Sequence, residues 1–178
     1  IYLQVTRGAP PQRLHDWPEG LTPNVFAYAI PATHPTLETY AKGASAITHE
    51  DTRRIENNVK SIALQTNTLI QHKAAKKGAV EALLFRNGYL TEGTLSNIFI
   101  VKDKEIATPP ADRTILNGVT RRTVLDIAKQ ENLYAAERLI HYDDVLNADE
   151  IWITSSSKGI LPIYMLDNKP VGSGEKTG

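Results

Sequence analysis

Residues 79–103 read AVEALLFRNGYLTEGTLSNIFIVKD, two runs of aliphatic, aromatic and β-branched residues that meet at Asn87-Gly88. Asn-Gly is the pair that tolerates positive φ at both central positions of a type I′ turn, so the segment predicts a β-hairpin. A second strong strand follows around Asn97 to Val101. A hairpin here excludes a simple alternation of parallel strands and helices. Upstream, Ser61 to Lys77 predicts a helix, with Ile62, Leu64, Leu69 and Ile70 as its apolar residues, Ser61 as an early cap, a basic last turn and Gly78 as the stop. Downstream, Lys104 to Thr108 predicts a short strand.

Further out, Thr120 to Asn132 reads as a second helix, with Val124, Leu125 and Ile127 on its apolar side, and Tyr142 to Leu146 as a short third one. EIWITSS at 150–156 and GILPIYML at 159–166 read as strands, with Asp167-Asn168 as the turn after them. At the other end, IYLQVTR at 1–7 and NVFAYAI at 24–30 read as strands, GASAITHED at 43–51 as another, and 8–23, with four prolines, as a long loop. The pattern from Pro35 to this third strand is mixed. Many strands, few helices and hairpins between them predict an α+β (mixed α/β) domain rather than a doubly wound parallel sheet.

The 178 residues, 41% of them hydrophobic, are enough for a substantial core. Twenty Lys+Arg balance twenty Asp+Glu, so no net field draws the chain to nucleic acid. The chain has no cysteine, which excludes disulfides and thiolate chemistry and permits a reducing cytoplasm. No run approaches the roughly 20 apolar residues of a membrane span, and no signal peptide is visible, so a soluble protein is expected. Ile1 is not a natural start and GSGEKTG is an abrupt finish, so missing segments at both ends are expected.

Several groups are suited to chemistry. Lys60, in RIENNVKSIALQTN at 54–67, stands where polar sequence gives way to the expected helix. Most lysines are solvated, and that reading is favoured locally. A desolvated ε-amine could instead form a Schiff base with a carbonyl, and a cation near a helix N-terminus opposes the macrodipole. Glu92, in TEGTLSN at 91–97, could bind a protonated ring nitrogen, against the plainer reading of an exposed loop glutamate. Asn117-Gly118-Val119-Thr120 lies just before the second helix and could meet a phosphate, although Thr120 serves equally well as an ordinary cap. Thr154 to Gly159 offers hydroxyls and amides in a turn, itself a commonplace feature. In the proline-rich loop, Arg13 and His15 would point the same way from an extended segment and could grip a carboxylate, where a solvated pair is the ordinary alternative. Five scattered histidines show no metal-binding spacing, and no dinucleotide, P-loop or serine-hydrolase motif occurs.

Taken in order, VTRG followed by RLH, then VKSIALQTN, TEGTLSNIF, ILNGVTR and ITSSS closely resemble the D-amino acid aminotransferases of the fold-type IV pyridoxal-phosphate family, over essentially the whole chain. The resemblance implies pyridoxal 5'-phosphate as cofactor and amino acids and 2-oxo acids as substrates. Lys60 then corresponds to the Schiff-base lysine and Glu92 to the carboxylate on the ring nitrogen. Val119, Thr120, Ser155 and Ser156 correspond to the phosphate cup, Leu116 to the residue packed on the cofactor ring, and Arg13 with His15 to the pair binding the substrate carboxylate. Also implied are a β-barrel-like sheet with surrounding helices, a homodimer, and a division into residues 1–30, the end of a small N-terminal domain and its interdomain loop, and 31–178, the large cofactor-binding domain. The resemblance further implies that most of that small domain, with its phosphate-binding arginine and active-site tyrosine, is to be expected outside this chain. Sibling activities, a branched-chain aminotransferase or an aminodeoxychorismate lyase, and a non-catalytic binding domain are the alternatives.

Overall fold

The computed structural model describes residues 1–32 and 34–173. The chain divides into two units, Ile1–Thr33 and His34–Gly178. In the first, β1 (Tyr2–Thr6) pairs antiparallel with β2 (Asn24–Tyr28), with Tyr2 opposite Tyr28 and Thr6 opposite Asn24. The tyrosine rings lie 5.1 Å apart, and in the loop between the strands the Arg7 guanidinium sits 3.9 Å over the Trp17 ring.

The second unit begins with α1 (Leu37–Lys42), followed by β3 (Ala44–Glu50), α2 (Gln65–Lys76), β4 (Glu81–Arg86), β5 (Tyr89–Gly93), β6 (Asn97–Lys102) and β7 (Glu105–Thr108). It continues with α3 (Val119–Gln130), β8 (Ala135–Glu137), α4 (Tyr142–Leu146), β9 (Glu150–Ser155), β10 (Gly159–Leu166) and β11 (Lys169–Pro170). The strands form one mixed sheet in the order β5-β4-β3-β10-β9-β6-β7-β8, with β11 paired to β10. β3 is parallel to both β4 and β10, β7 is parallel to β8, and the other pairs are antiparallel. The two ends of this order meet: Tyr89 bridges to His141 just past β8, and the Leu90 amide donates to the Ile140 carbonyl at 2.8 Å. The sheet therefore curls toward a barrel, as the family resemblance implied.

Strand alternation sorts the core. Leu83 and Phe85 of β4, Ile98 and Ile100 of β6, and Ile151 and Ile153 of β9 belong to one buried cluster. Their neighbours face the other way. Ala82 and Leu84 meet Ile70 and Ala74 of α2, while Phe99 meets Val124 and Ala128 of α3. A one-residue slip of β4 or β6 would exchange these two sets and break both interfaces.

The hairpin forms as the sequence predicts, with Asn87 at φ 52° and Gly88 at φ 83°. Asp167 and Asn168 make a second turn of this kind, at φ 48° and 62°. The helix expected over 61–77 starts later, at Gln65. Ser61 does not cap it: its hydroxyl accepts the Arg54 guanidinium at 2.5 Å and the Ala63 amide at 3.3 Å, closing a local turn that competes with helix. Lys60 accordingly lies on a loop, not on the first helical turn. Of the apolar residues expected to define α2 only Ile70 is buried; Ile62, Leu64 and Leu69 are exposed. In α3 the buried face is Arg121, Val124 and Ala128, leaving Ile127 exposed.

α1 and β8 have no counterpart among the elements expected from the sequence. α1 has no buried residue, yet Thr36 caps it by accepting the Thr39 amide at 3.1 Å, and the Tyr40 hydroxyl donates to the Lys158 carbonyl at 2.6 Å. β8 is three residues long and exists through its pairing with β7.

Candidate active site

A cavity of about 440 Å³ opens in the second unit. Four segments line it: the loop from Arg53 into the start of α2, the end of β5 with the turn into β6, the 116–120 approach to α3, and 154–157 at the end of β9. Lys60, Glu92, Leu116, Val119, Thr120, Ser155 and Ser156 all line it. Seven residues named from the sequence thus meet in one space.

Glu92 faces this space from β5 and is buried. Its Oε1 accepts the Arg53 guanidinium at 2.6 Å, and its Oε2 accepts the Leu116 amide at 3.0 Å and the Asn97 side-chain amide at 3.2 Å. Arg53 is itself gripped by Asp51, with Nε 2.9 Å from one carboxylate oxygen and Nη2 2.9 Å from the other. Asp51 also accepts the Thr91 hydroxyl at 2.9 Å and lies 3.2 Å from the Arg86 guanidinium. Two acids and two arginines therefore balance within one buried network. Burial pushes the Glu92 carboxyl up to about 7, against the opposing pull of Arg53 and the Leu116 amide. Burial also acts to raise Asp51, but the Arg53 fork outweighs it and holds that carboxyl below its ordinary value.

Behind this wall a second carboxylate, Glu81 of β4, is wholly buried and shapes the turn between β5 and β6. It accepts the Ala82 and Thr94 amides, both at 2.9 Å, the Ser96 hydroxyl at 2.7 Å, and the Thr94 hydroxyl. Asn67 of α2 donates to the Thr94 carbonyl at 2.7 Å, tying the helix to the same turn.

The start of α3 is built differently. Gly118 is the N-cap residue, at φ −61° and ψ 145°, and among the described residues no side chain caps the first turn. A Cβ at Gly118 would lie 2.3 Å from Asn97 Oδ1, so the close approach of this turn to β6 requires glycine. Asn97 also donates to the Leu116 carbonyl at 2.7 Å. Across the cavity lining, the Ser155 hydroxyl accepts the Lys158 amide at 3.2 Å. Amides at an uncapped helix N-terminus, with hydroxyls nearby, suit an anion. Arg121 anchors this turn from inside, donating to the Pro109 carbonyl at 2.8 Å, to Asn117 at 3.2 Å and to Glu137.

Lys60 stands on the loop between β3 and α2 and is exposed at the cavity wall. The loop is pinned by Asn57, whose side-chain amide donates to the Arg54 carbonyl at 2.7 Å and the Thr114 carbonyl at 3.2 Å. Arg13 and His15 belong to the first unit, where both are exposed and neither lies in a strand. Sequence reasoning missed Arg53, Asp51 and Asn97. The only signal was the charged cluster EDTRR at the end of a strand, and polar strand ends are too common to single one out. Among the described residues no group of three or more His, Asp or Glu is arranged to hold a metal ion, and no helix is long and apolar enough to cross a membrane.

The chain is similar to known proteins in sequence and in fold. The family described as amino-transferase class IV matches residues 1–165. D-alanine aminotransferase of Bacillus licheniformis is 42% identical over 174 residues, an alignment that covers 98% of this chain and 61% of that protein. The chain therefore spans 61% of the length of that relative. Among solved structures, the branched-chain amino acid aminotransferase of Escherichia coli superposes with a TM-score of 0.77 at 26% identity, covering 90% of this chain and 54% of that one. A fold IV-transaminase from Curtobacterium pusillum gives a TM-score of 0.70 at 26% identity, covering 76% and 50%. The curled mixed sheet with few helices is the fold of these fold-type IV enzymes.

Proposed function

We propose that this chain, which belongs to the amino-transferase class IV family, forms the cofactor-binding part of an enzyme that moves an amino group between a D-amino acid, such as D-alanine, and a 2-oxo acid, such as 2-oxoglutarate. The observation that carries this reading is the convergence of Lys60, Glu92 and the uncapped start of α3 on one cavity. The activity named for the 42% identical relative supports the D-amino acid as substrate.

The residues fit pyridoxal 5'-phosphate. The cavity volume, about 440 Å³, lies within the range of small-molecule sites. Glu92 offers a carboxylate for a ring nitrogen, the α3 N-terminus offers amides for a phosphate, and Lys60 offers an amine for an aldehyde. When bound, the cofactor supplies an electrophilic carbon for the substrate amine and a ring that accepts electrons from Cα. Lys60 would tether it and would carry the Cα proton as general base and acid. Glu92 would hold a proton on the ring nitrogen, and Arg53 holds Glu92 in place. Val119 and Thr120, with the Ser155 and Ser156 hydroxyls, would hold the phosphate, and Leu116 would pack on the ring. Arg13 and His15 orient the substrate carboxylate so that one face of Cα exchanges its proton. Residues 1–30 end a small domain, residues 31–178 belong to the large one, and the whole protein works as a homodimer in the cytoplasm.

Borohydride reduction of the full-length protein loaded with pyridoxal phosphate, followed by peptide mapping, is expected to find the cofactor on Lys60. Attachment to any other residue refutes the site. Turnover of D-alanine with L-leucine inert is the expected substrate pattern; the reverse pattern makes the protein a branched-chain aminotransferase instead.

A further inference from the structure

Thr154, on β9, is 1% exposed and lines the cavity, and among the described residues its hydroxyl has no hydrogen-bond partner. Its backbone position is set by the sheet, where it lies opposite Asn97 of β6 and Ile160 of β10. Along β9, Ile151 and Ile153 enter the main core cluster, while Trp152 packs with Phe99, Val124 and Ala128 on the α3 side. Alternation puts Thr154 on that same side as Trp152. Its cross-strand neighbour Asn97 spends its amide on Glu92 and the Leu116 carbonyl. Nothing in the strand itself calls for a hydroxyl here. Valine has the same shape, favours a strand at least as well and carries no polar atom to strand in the interior.

The second observation is independent. α3, a 12-residue helix whose first turn lines the same cavity, has no side chain capping its amides among the described residues. Thr154, whose buried hydroxyl has no partner among the described residues, and the uncapped helix start thus line one cavity. We propose that Thr154 Oγ1 is a binding group of this cavity, donating a hydrogen bond to the phosphate held at the start of α3. This rests on the cofactor reading above and adds to it a residue whose hydroxyl has no protein partner among the described residues. The unpaired hydroxyl destabilises the empty protein and is satisfied on binding.

The test uses the full-length protein and its Thr154→Val and Thr154→Ser variants. Affinities for pyridoxal phosphate and for pyridoxal, which lacks the phosphate, are read from the visible absorbance of the loaded protein. Melting temperatures of the cofactor-free protein are read with and without inorganic phosphate. Thr154→Val is expected to bind pyridoxal phosphate about tenfold more weakly, to bind pyridoxal as the wild type does, and to melt no lower than the wild type when empty. Thr154→Ser should retain wild-type affinity for pyridoxal phosphate. Equal pyridoxal phosphate affinity in wild type and Thr154→Val overturns the proposal, as does an equal loss for both ligands or a lower melting temperature of the empty valine variant. If the wild type takes up no pyridoxal phosphate, the cofactor reading itself fails, and inorganic phosphate decides for Thr154. A phosphate-induced rise in melting temperature that Thr154→Val abolishes then sustains the hydroxyl as an anion ligand, and its persistence in the variant refutes it.

Discussion

Glu92 and the start of α3 border the same cavity, and their polar groups are treated in opposite ways. Both oxygens of Glu92 are engaged, one by Arg53 and the other by the Leu116 amide and Asn97, and Arg53 is locked in turn by Asp51. At α3, among the described residues, the first turn has no side-chain cap and the Thr154 hydroxyl on the same cavity has no partner. The difference teaches which group must be held still and which must be free to receive something. A carboxylate that directs a proton has to keep its position before any ligand arrives, so its partners come from the protein. An anion site works by leaving donors for the ligand, at a cost in the stability of the empty fold.

The largest effect belongs to the open side. Lys60→Ala is expected to lower D-alanine turnover about a thousandfold or more and to abolish borohydride-stable cofactor attachment. Because Lys60 is exposed, its urea midpoint should shift by no more than about 0.5 kcal/mol of stability. The paired side is broken by Arg53→Leu, which leaves Asp51 and Glu92 buried without their shared cation. A loss of about 3–5 kcal/mol in urea unfolding near pH 8 is expected, and a smaller loss near pH 5, where Glu92 can take up a proton. Equal losses at the two pH values would mean that Arg53 does not act through the charge of Glu92.

Glu92 titrates at about 7 in the folded, cofactor-free protein against an ordinary 4.5, so the native state holds an extra proton between these values. The resulting stability is fully present below 4.5 and is lost as pH rises through 7. Asp51 acts in the opposite sense: its lowered value gives stability above the ordinary 3.8 that disappears as pH falls through the folded value. Glu92→Gln should therefore flatten the decline between about pH 5 and pH 8 by about 1–3 kcal/mol, measured by urea titration at each pH. Gly118→Ala, whose new Cβ would press on Asn97 Oδ1, is expected to cost about 1–3 kcal/mol and to weaken phosphate binding as well. As a distant control, Glu38→Gln removes an exposed i,i+4 pair with Lys42 on α1 and should cost only about 0.3–0.5 kcal/mol in thermal unfolding.

What can be read from the chain alone follows the range of the forces involved. Asn87-Gly88 and Asp167-Asn168 announce turns because their backbone preferences are local. The strands of β4, β6, β9 and β10 announce themselves by their apolar and β-branched runs. The start of α2 differs from the sequence expectation because a single interaction from Arg54 decides what the Ser61 hydroxyl does, and that partner is set by the folded loop. α1 is hard to see in the sequence because its anchor, Tyr40 on the Lys158 carbonyl, spans 118 positions. For the site, a resemblance of ordered segments points to Lys60, Glu92 and the residues around them, and Thr154 stands in the sequence only as one of several hydroxyls in the 154–159 turn, while Asp51 and Arg53 are marked by nothing beyond the charged run EDTRR.

The sequence by itself therefore determined most of the strands, their turns, the mixed class of the fold and the family resemblance, all of which depend on residue type and short spacing. Only the tertiary structure decided how the sheet curls until Tyr89 reaches His141, which arginine partners Glu92, and which buried hydroxyl on the cavity lining has no protein partner among the described residues. Those outcomes depend on how long-range strand register brings distant polar atoms within hydrogen-bond reach, and no spacing along the chain encodes that distance.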